Sequence, residues 1–301
     1  MKQHHRFDLE PFTVRPRSSV RLKDLRTGAP PDLVSRIDAQ TALAEDIAHL
    51  AAAQELIWAS SSHSVLIILQ AMDAAGKDGT IKHVMSGVNP QGCSVHSFKA
   101  PTDQEVAHHF LWRPIRALPG RGRIAIFNRS YYEEVLVTRV HPKFLERQAI
   151  NLDDINKEFW ETRYEDINNF EHTLTRGGTC IIKIFLHLSK GEQFKRFMER
   201  LNDPEKHWKF SPADVDERAL WKQYRKAYEA AIEATSTPWA PWYIVPADDK
   251  WFTRACVADI ITSRIAELDL RYPVLNQEQK QALEQARVRL QAEGRVQPED
   301  D

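Results

Sequence analysis

Two short stretches hold residue types suited to phosphate chemistry: Asp73 and Lys77 in "LIILQAMDAAGKDGTIKHV", residues 66–84, and Arg129 in "RIAIFNRSYYEE". The first begins as a buried strand, breaks into small residues and resumes as a basic, helix-like run. Its centre, Ala74, Ala75, Gly76, Lys77, Asp78 and Gly79, has the form of a phosphate loop. In such a loop backbone N–H groups and a helix N-terminus surround phosphate, and the lysine reaches between its oxygens. Two positions depart from the usual pattern: Ala71 replaces the first glycine, and Asp78 replaces Ser or Thr. Alanine costs nothing where φ is negative. A carboxylate beside polyphosphate is repelled unless Mg²⁺ intervenes or the side chain turns to its own helix N-terminus. Asp73 raises the same problem and suggests its solution, because Mg²⁺ takes carboxylate and phosphate oxygens together. Phosphoryl transfer needs that electrostatic support more than covalent chemistry. The competing reading is a plain strand–turn–helix in which Asp73 and Asp78 cap and solubilise.

In the second stretch an acidic residue at the strand end would be a usual Mg²⁺ organiser. Here Asn128 offers a neutral oxygen, and Arg129 follows with a fixed fork of donors for phosphate oxygens. A residue emerging from a buried strand of an α/β sheet lies near the crevice where ligands bind. Glu133 and Glu134 open a helix, where simple charge matching at the N-terminus explains them. Only one need face a site.

Placing these residues requires a layered scaffold. A buried strand "SVLIILQ" follows an amphipathic helix over roughly 32–59, and "CSVHSFKA", "IAIF", "TCIIKIFLHLS" and "APWYIVPADD" supply further strands. Helices are expected after the phosphate loop, across "TDQEVAHHFLWRPIRAL", and over 151–175, 190–203, 214–235 and 250–269, with Pro204 stopping one of them. Strands separated by such helices argue for a three-layer α/β/α fold with a parallel sheet. Residues 1–33 read as an Arg- and Pro-rich arm, and the tail from Pro273 as a polar helix without enough apolar residues for its own core.

The 301 residues carry a net charge of −1, which argues against a general nucleic-acid-binding surface. Net charge hides local fields, however. Residues 109–149 hold eight Lys or Arg against three Asp or Glu, enough for a polyanionic partner. Cys93, Cys180 and Cys256 are scattered and odd in number, so reduced thiols in a cytoplasmic protein are expected. Neither a signal peptide nor a membrane-spanning stretch is visible, so no membrane partner is expected. The tryptophans read as packing residues at 112, 160 and 221, while Trp239 and Trp242 could shape a pocket wall.

"AMDAAGKDGTIKHV", "FKAPTDQEVAHHFLWR", "FNRSYYEEVLVTRVHP", "KIFLHLSKGEQFKRFMERLNDPEKHWKFSPADV" and "APWYIVPADDKWFTR" together resemble the polyphosphate kinase 2 family, in the right order across most of residues 35–270. The resemblance implies a phosphate-loop kinase-like fold, similar to thymidylate and adenylate kinases, with a helical lid. It divides the chain into an arm (1–33), a phosphotransferase domain (34–272, lid about 196–215) and a tail helix (273–301). It also implies reversible, Mg²⁺-dependent transfer of the terminal phosphoryl group of polyphosphate, with Mn²⁺ as an alternative metal. The stretch "FNRSYYEEVL" is similar to the subgroup that takes ADP to ATP and AMP to ADP. A homo-oligomer, dimer or tetramer, is implied, and no nucleic acid.

Residue by residue, Asp73 resembles the carboxylate that coordinates Mg²⁺ and orients the attacking phosphate. Gly76 and Lys77 resemble the phosphate cradle, and Arg129 the arginine that steadies the transferring group. Asn128 stands where relatives often have Asp. Lys82 is similar to a residue lining the polyphosphate channel, although it is also spaced for an ion pair with Asp78. Lys99, Arg113, Arg116, Arg121, Arg123, Arg139, His141 and Lys143 are further polyphosphate or nucleotide-binding candidates. Arg196, Arg200 and Lys209, which with Lys206 flank the lid, are polyphosphate or nucleotide-binding candidates as well, and closure of the lid would exclude water as a competing acceptor.

Two rivals share many of these features. An ATP-dependent nucleoside monophosphate kinase has the same fold and cover, but its loop would carry a hydroxyl where Asp78 stands. A noncatalytic anion-binding module would have no need to combine Asp73, Lys77 and Arg129.

Overall fold

The strand β1, Ser64–Ala71, is buried along its whole length, because it lies at the middle of the sheet with a neighbour on each side. A computed structural model describes residues 7–31 and 36–293. Its five strands are β1, β2 (Cys93–Ser97), β3 (Ile124–Asn128), β4 (Thr179–His187) and β5 (Trp242–Pro246), in the order β2-β3-β1-β4-β5. Every pair in that sheet is parallel. Parallel neighbours place all five carboxyl ends on one edge, and loops leaving that edge form the crevice.

Alternation along β1 builds a core on each face. Val65, Ile67 and Leu69 join one cluster, with Leu50, Ile57, Cys256 and Ile260 from the helices Arg36–Ser60 and Lys250–Ala266. Leu66 and Ile68 join the other, with Val135, Ile167 and Ile232 from the helices Glu133–Val140, Lys157–Arg176 and Trp221–Thr235. This is the three-layer α/β/α arrangement expected from strand burial.

Residues 7–31 lie along the β5 side. Val14 N–H donates to the Trp242 carbonyl at 2.8 Å, and Phe7 and Leu22 are buried. The described residues divide into two compact units, one ending at Leu270 and the next beginning at Arg271. The second contains the helix Gln277–Glu293, none of whose residues is buried.

Two expected helices differ. Residues 102–118 form only the short turns Asp103–Val106 and Trp112–Ile115. The helix begun by the Thr102 cap already ends at Val106, and Pro114 lies in the first turn of the second piece, where its missing N–H leaves no helical bond unmade. The segment 214–235 breaks at Leu220 into Ala213–Ala219 and Trp221–Thr235. The start of the first long helix, residues 32–35, lies outside the described residues.

Candidate active site

Asp73 and Arg129 leave neighbouring strands at the same edge, since Leu69 of β1 pairs with Asn128 of β3. The Arg129 N–H donates to the Leu69 carbonyl at 3.1 Å, which ties the second loop to the first strand. Arg129 has φ +63°, Ala74 φ +62° and Gly76 φ +100°. Left-handed backbone is strained for residues with a Cβ and persists where its surroundings over-determine it. Two such non-glycine residues therefore stand at this edge of the sheet, one in each loop.

Arg129 Nη2 donates to Asp73 Oδ1 at 2.9 Å, and Nη1 lies 3.7 Å from Glu133 Oε2. The Glu133 and Asp73 carboxylates hold the guanidinium firmly charged, against its partial burial. Burial pushes the Glu133 carboxyl up, with Arg129 opposing. Lys77 opens the helix Lys77–Val84, and its ammonium donates to the Ala71 carbonyl at 3.3 Å. Burial, then the Arg129 charge, pulls its pKa down. A half-buried cation short of compensating charge is suited to an arriving phosphate.

Asp78 and Asn128 meet. Asn128 Nδ2 donates to Asp78 Oδ1 at 2.6 Å, linking the first turn of the phosphate-loop helix to the end of β3. The two loop carboxylates thus have different partners, Arg129 for Asp73 and Asn128 for Asp78.

Two cavities adjoin Arg129. One is lined by Asp73, Glu133, Glu217, Arg218 and Tyr224. The other, about 1080 Å³ with its open mouth, has aromatic walls from Phe98, Phe110, Tyr131 and Phe144, with Lys99, Arg113 and Arg147. Arg129 and Glu133 line both. Sequence reasoning missed this aromatic pocket, because its walls come from segments far apart in the chain. It missed Glu217 and Tyr224 too; the Tyr224 hydroxyl donates to Glu217 Oε2 at 2.6 Å.

The remaining cations part ways. Lys82, Lys99 and Lys143 are exposed. Arg113 donates to the Lys99 carbonyl and pairs with Glu105 beside the aromatic pocket. His141 Nε2 lies 3.0 Å from Glu217 Oε2. Arg200 donates to the Lys209 carbonyl at 3.2 Å, and the Lys209 ammonium lies over Trp208.

Four candidates are misplaced as ligands of this crevice, and one of them, Arg123, immediately precedes β3 at the amino ends of the strands with its guanidinium over the Trp58 ring. Arg121 precedes β3 and reaches the Gly177 carbonyl before β4, so it sits at the amino ends of the strands, the opposite edge. Arg139 pairs with the Tyr164 hydroxyl over the Trp160 ring and lines a separate groove with Lys157. Arg196 is buried with its donors spent on backbone carbonyls.

Among the described residues no group of three or more His, Cys, Asp or Glu forms a metal cage. Mg²⁺ needs none, since it is commonly held by one or two carboxylates together with phosphates and water. Asp73, its side chain one-third exposed beside the loop, fits that donor set.

The model of the family described as polyphosphate kinase 2 matches residues 34–272. An ADP-polyphosphate phosphotransferase of Rhodopseudomonas palustris is 51% identical over 249 residues, 82% of this chain and 86% of the relative. An AMP/ADP-polyphosphate phosphotransferase of Meiothermus ruber is 48% identical over 220 residues, 73% and 78% of the two chains. The crystal structure of polyphosphate kinase 2 from Arthrobacter aurescens superposes with a TM-score of 0.82 at 40% identity, covering 91% of this chain and 95% of that one. With the three-layer fold, the phosphate loop and the Asp73–Arg129 pair in place, the chain belongs to the polyphosphate kinase 2 family of phosphotransferases.

Proposed function

We propose that this protein transfers the terminal phosphoryl group of inorganic polyphosphate to ADP, giving ATP, and to AMP, giving ADP. A terminal-phosphate oxygen of the nucleotide forms the new P–O bond. The terminal anhydride bond of polyphosphate breaks, and its electron pair stays on the bridging oxygen of the shortened chain. One anhydride replaces another, so the reaction is reversible.

The observation carrying this reading is the wall shared by the two cavities. Arg129 stands between a charged cavity at the phosphate loop and an aromatic-walled pocket suited to a nucleotide. The transferring group would lie at that wall, where the guanidinium fork can follow charge onto its oxygens. Lys77 and the loop N–H groups would hold phosphate, and Asp73 would orient the attacking nucleotide phosphate. Asp73 would also hold Mg²⁺, which supplies charge neutralisation between the phosphates when bound. Among the described residues no helix is long and apolar enough to cross a membrane. The acceptor assignment draws on the two relatives, one an ADP-polyphosphate and the other an AMP/ADP-polyphosphate phosphotransferase.

The test is product analysis with long-chain polyphosphate, Mg²⁺ and either ADP or AMP. ATP from ADP and ADP from AMP are expected. Conversion of ADP alone would restrict the acceptor range. Phosphorylation of AMP by ATP, with polyphosphate inert, would favour the monophosphate kinase reading instead.

A further inference from the structure

The helix Lys190–Asn202 leaves β4 after a Ser189 cap and places residues 193 and 196 on one face, three positions apart. Both are buried, Gln193 at 3% and Arg196 at 4% exposure. Gln193 Nε2 donates to the Asp73 carbonyl at 2.9 Å. Arg196 Nη1 donates to the Ala74 carbonyl at 3.0 Å and the Ala75 carbonyl at 2.9 Å. Three consecutive carbonyls of the phosphate loop are therefore taken by one helix face. Arg196 Nη2 donates to the carbonyls of Ala247 and Asp248, and Nε to Glu192 Oε1. A guanidinium has five N–H donors. All five are spent inside the protein, leaving none for an anion.

We propose that Arg196 and Gln193 are positioning residues, a carbonyl clamp that shapes the phosphate loop, and that Arg196 does not touch polyphosphate. A planar trans peptide directs its C=O and N–H in opposite senses. Drawing the Asp73 and Ala75 carbonyls toward the helix turns the N–H groups of Ala74 and Gly76 the other way, as a phosphate nest requires. The left-handed Ala74 needs such external restraint, since its side chain disfavours that backbone. Gln193 is itself oriented, because its Oε1 accepts from Arg218 Nη1 at 2.7 Å. The same clamp ties the helix base to the end of β5, so lid movement must begin beyond Arg196.

The inference rests on the proposed reaction for its kinetic readout. Arg196→Lys, Arg196→Gln and Gln193→Ala would be compared in kcat, in KM for polyphosphate and ADP, in thermal midpoint, and in the salt dependence of polyphosphate binding. A misplaced loop costs about 10² in rate. We expect that loss in kcat for both Arg196 variants and about tenfold for Gln193→Ala. The salt slope should stay that of the wild type, because no contact to the polyanion has gone. Retained activity in Arg196→Lys, with a slope lowered by about one ion in Arg196→Gln, would make Arg196 a ligand and overturn the clamp. A lowered midpoint with normal kcat in the folded protein would reduce it to ordinary packing and overturn it as well. Should the Arg196 variants not fold, Gln193→Ala decides, since it removes a neutral group and Arg218 keeps the Lys190 carbonyl. An inactive wild type would instead defeat the reaction. Calorimetric binding of inorganic tripolyphosphate would then rank the same variants, with weaker binding in Gln193→Ala expected and equal binding overturning the clamp.

Discussion

Arg129 and Asp73 form an ion pair at 2.9 Å across the crevice between β1 and β3. Each neutralises the other before any substrate arrives, so phosphate must compete with Asp73 for the guanidinium. Asp73→Asn keeps the shape but releases Arg129. Polyphosphate binding is expected to hold or tighten, while turnover falls by about 10² or more through loss of the carboxylate. Lys77→Ala should differ, weakening binding and turnover together. Single-turnover rates beside direct binding separate the two patterns. Normal turnover of Asp73→Asn at limiting and saturating Mg²⁺ would reduce Asp73 to a turn residue.

The Asn128–Asp78 bond suggests a test of cation demand. Asn128→Asp sets a second carboxylate against the one now 2.6 Å from the amide nitrogen. Two such charges share a proton, move apart or recruit a divalent cation. The variant should melt earlier than wild type without Mg²⁺ and gain more from its addition, as expected for a ligand binding the folded state. Thermal midpoints over a Mg²⁺ series measure this. Parallel curves for the two proteins would show that Asp78 does not face the cation.

Asp73, Lys77 and Arg129 were legible in the sequence because a strand followed by a short loop leaves little freedom in where the next residues point. The cations were not. Arg121 and Arg113 look equivalent in a basic stretch, yet one lies at the amino edge of the sheet and the other lines the aromatic pocket. That difference depends on which side of a strand each stands. Arg196 was read as a substrate ligand because burial and carbonyl partners from distant loops leave no local signature. The layered fold was easier to read, since buried strands and amphipathic helices recur at local spacing. The single helix expected across 102–118 is instead two short turns, with Pro114 inside the second.

Beneath the Arg129 loop, Lys183 and Glu171 are both fully buried and 2.5 Å apart. Glu171 Oε1 accepts from the hydroxyls of Tyr131 and Tyr132, and Lys183 also donates to the Thr235 carbonyl. Lys183→Met leaves the carboxylate without its cation and is expected to cost about 3–5 kcal/mol. Adding Glu171→Leu should recover part of that loss, making the double variant more stable than the summed singles. Denaturant unfolding of the four proteins closes this cycle. Strict additivity would show that the charges do not depend on each other.

His187 gives the fold an acid-sensitive contact. Its Nε2 donates to the Leu22 carbonyl at 2.8 Å, joining β4 to the N-terminal segment. Burial pulls its pKa below the ordinary 6.5, although the Leu22 and Leu25 carbonyls and Asp248 oppose this, and Arg225 adds to it. The unfolded chain therefore takes up the proton at higher pH than the folded one. The contribution is complete above about pH 6.5 and is lost as pH falls toward the depressed value. His187→Gln can keep a donor to Leu22 without titrating. Between pH 7.5 and 5.5 the wild-type midpoint should fall further than that of the variant; carboxylates shared by both proteins cancel in the comparison. Equal acid losses would mean that His187 gains its proton equally in both states, and a smaller loss in the wild type that the folded protein holds the proton more tightly than the unfolded chain.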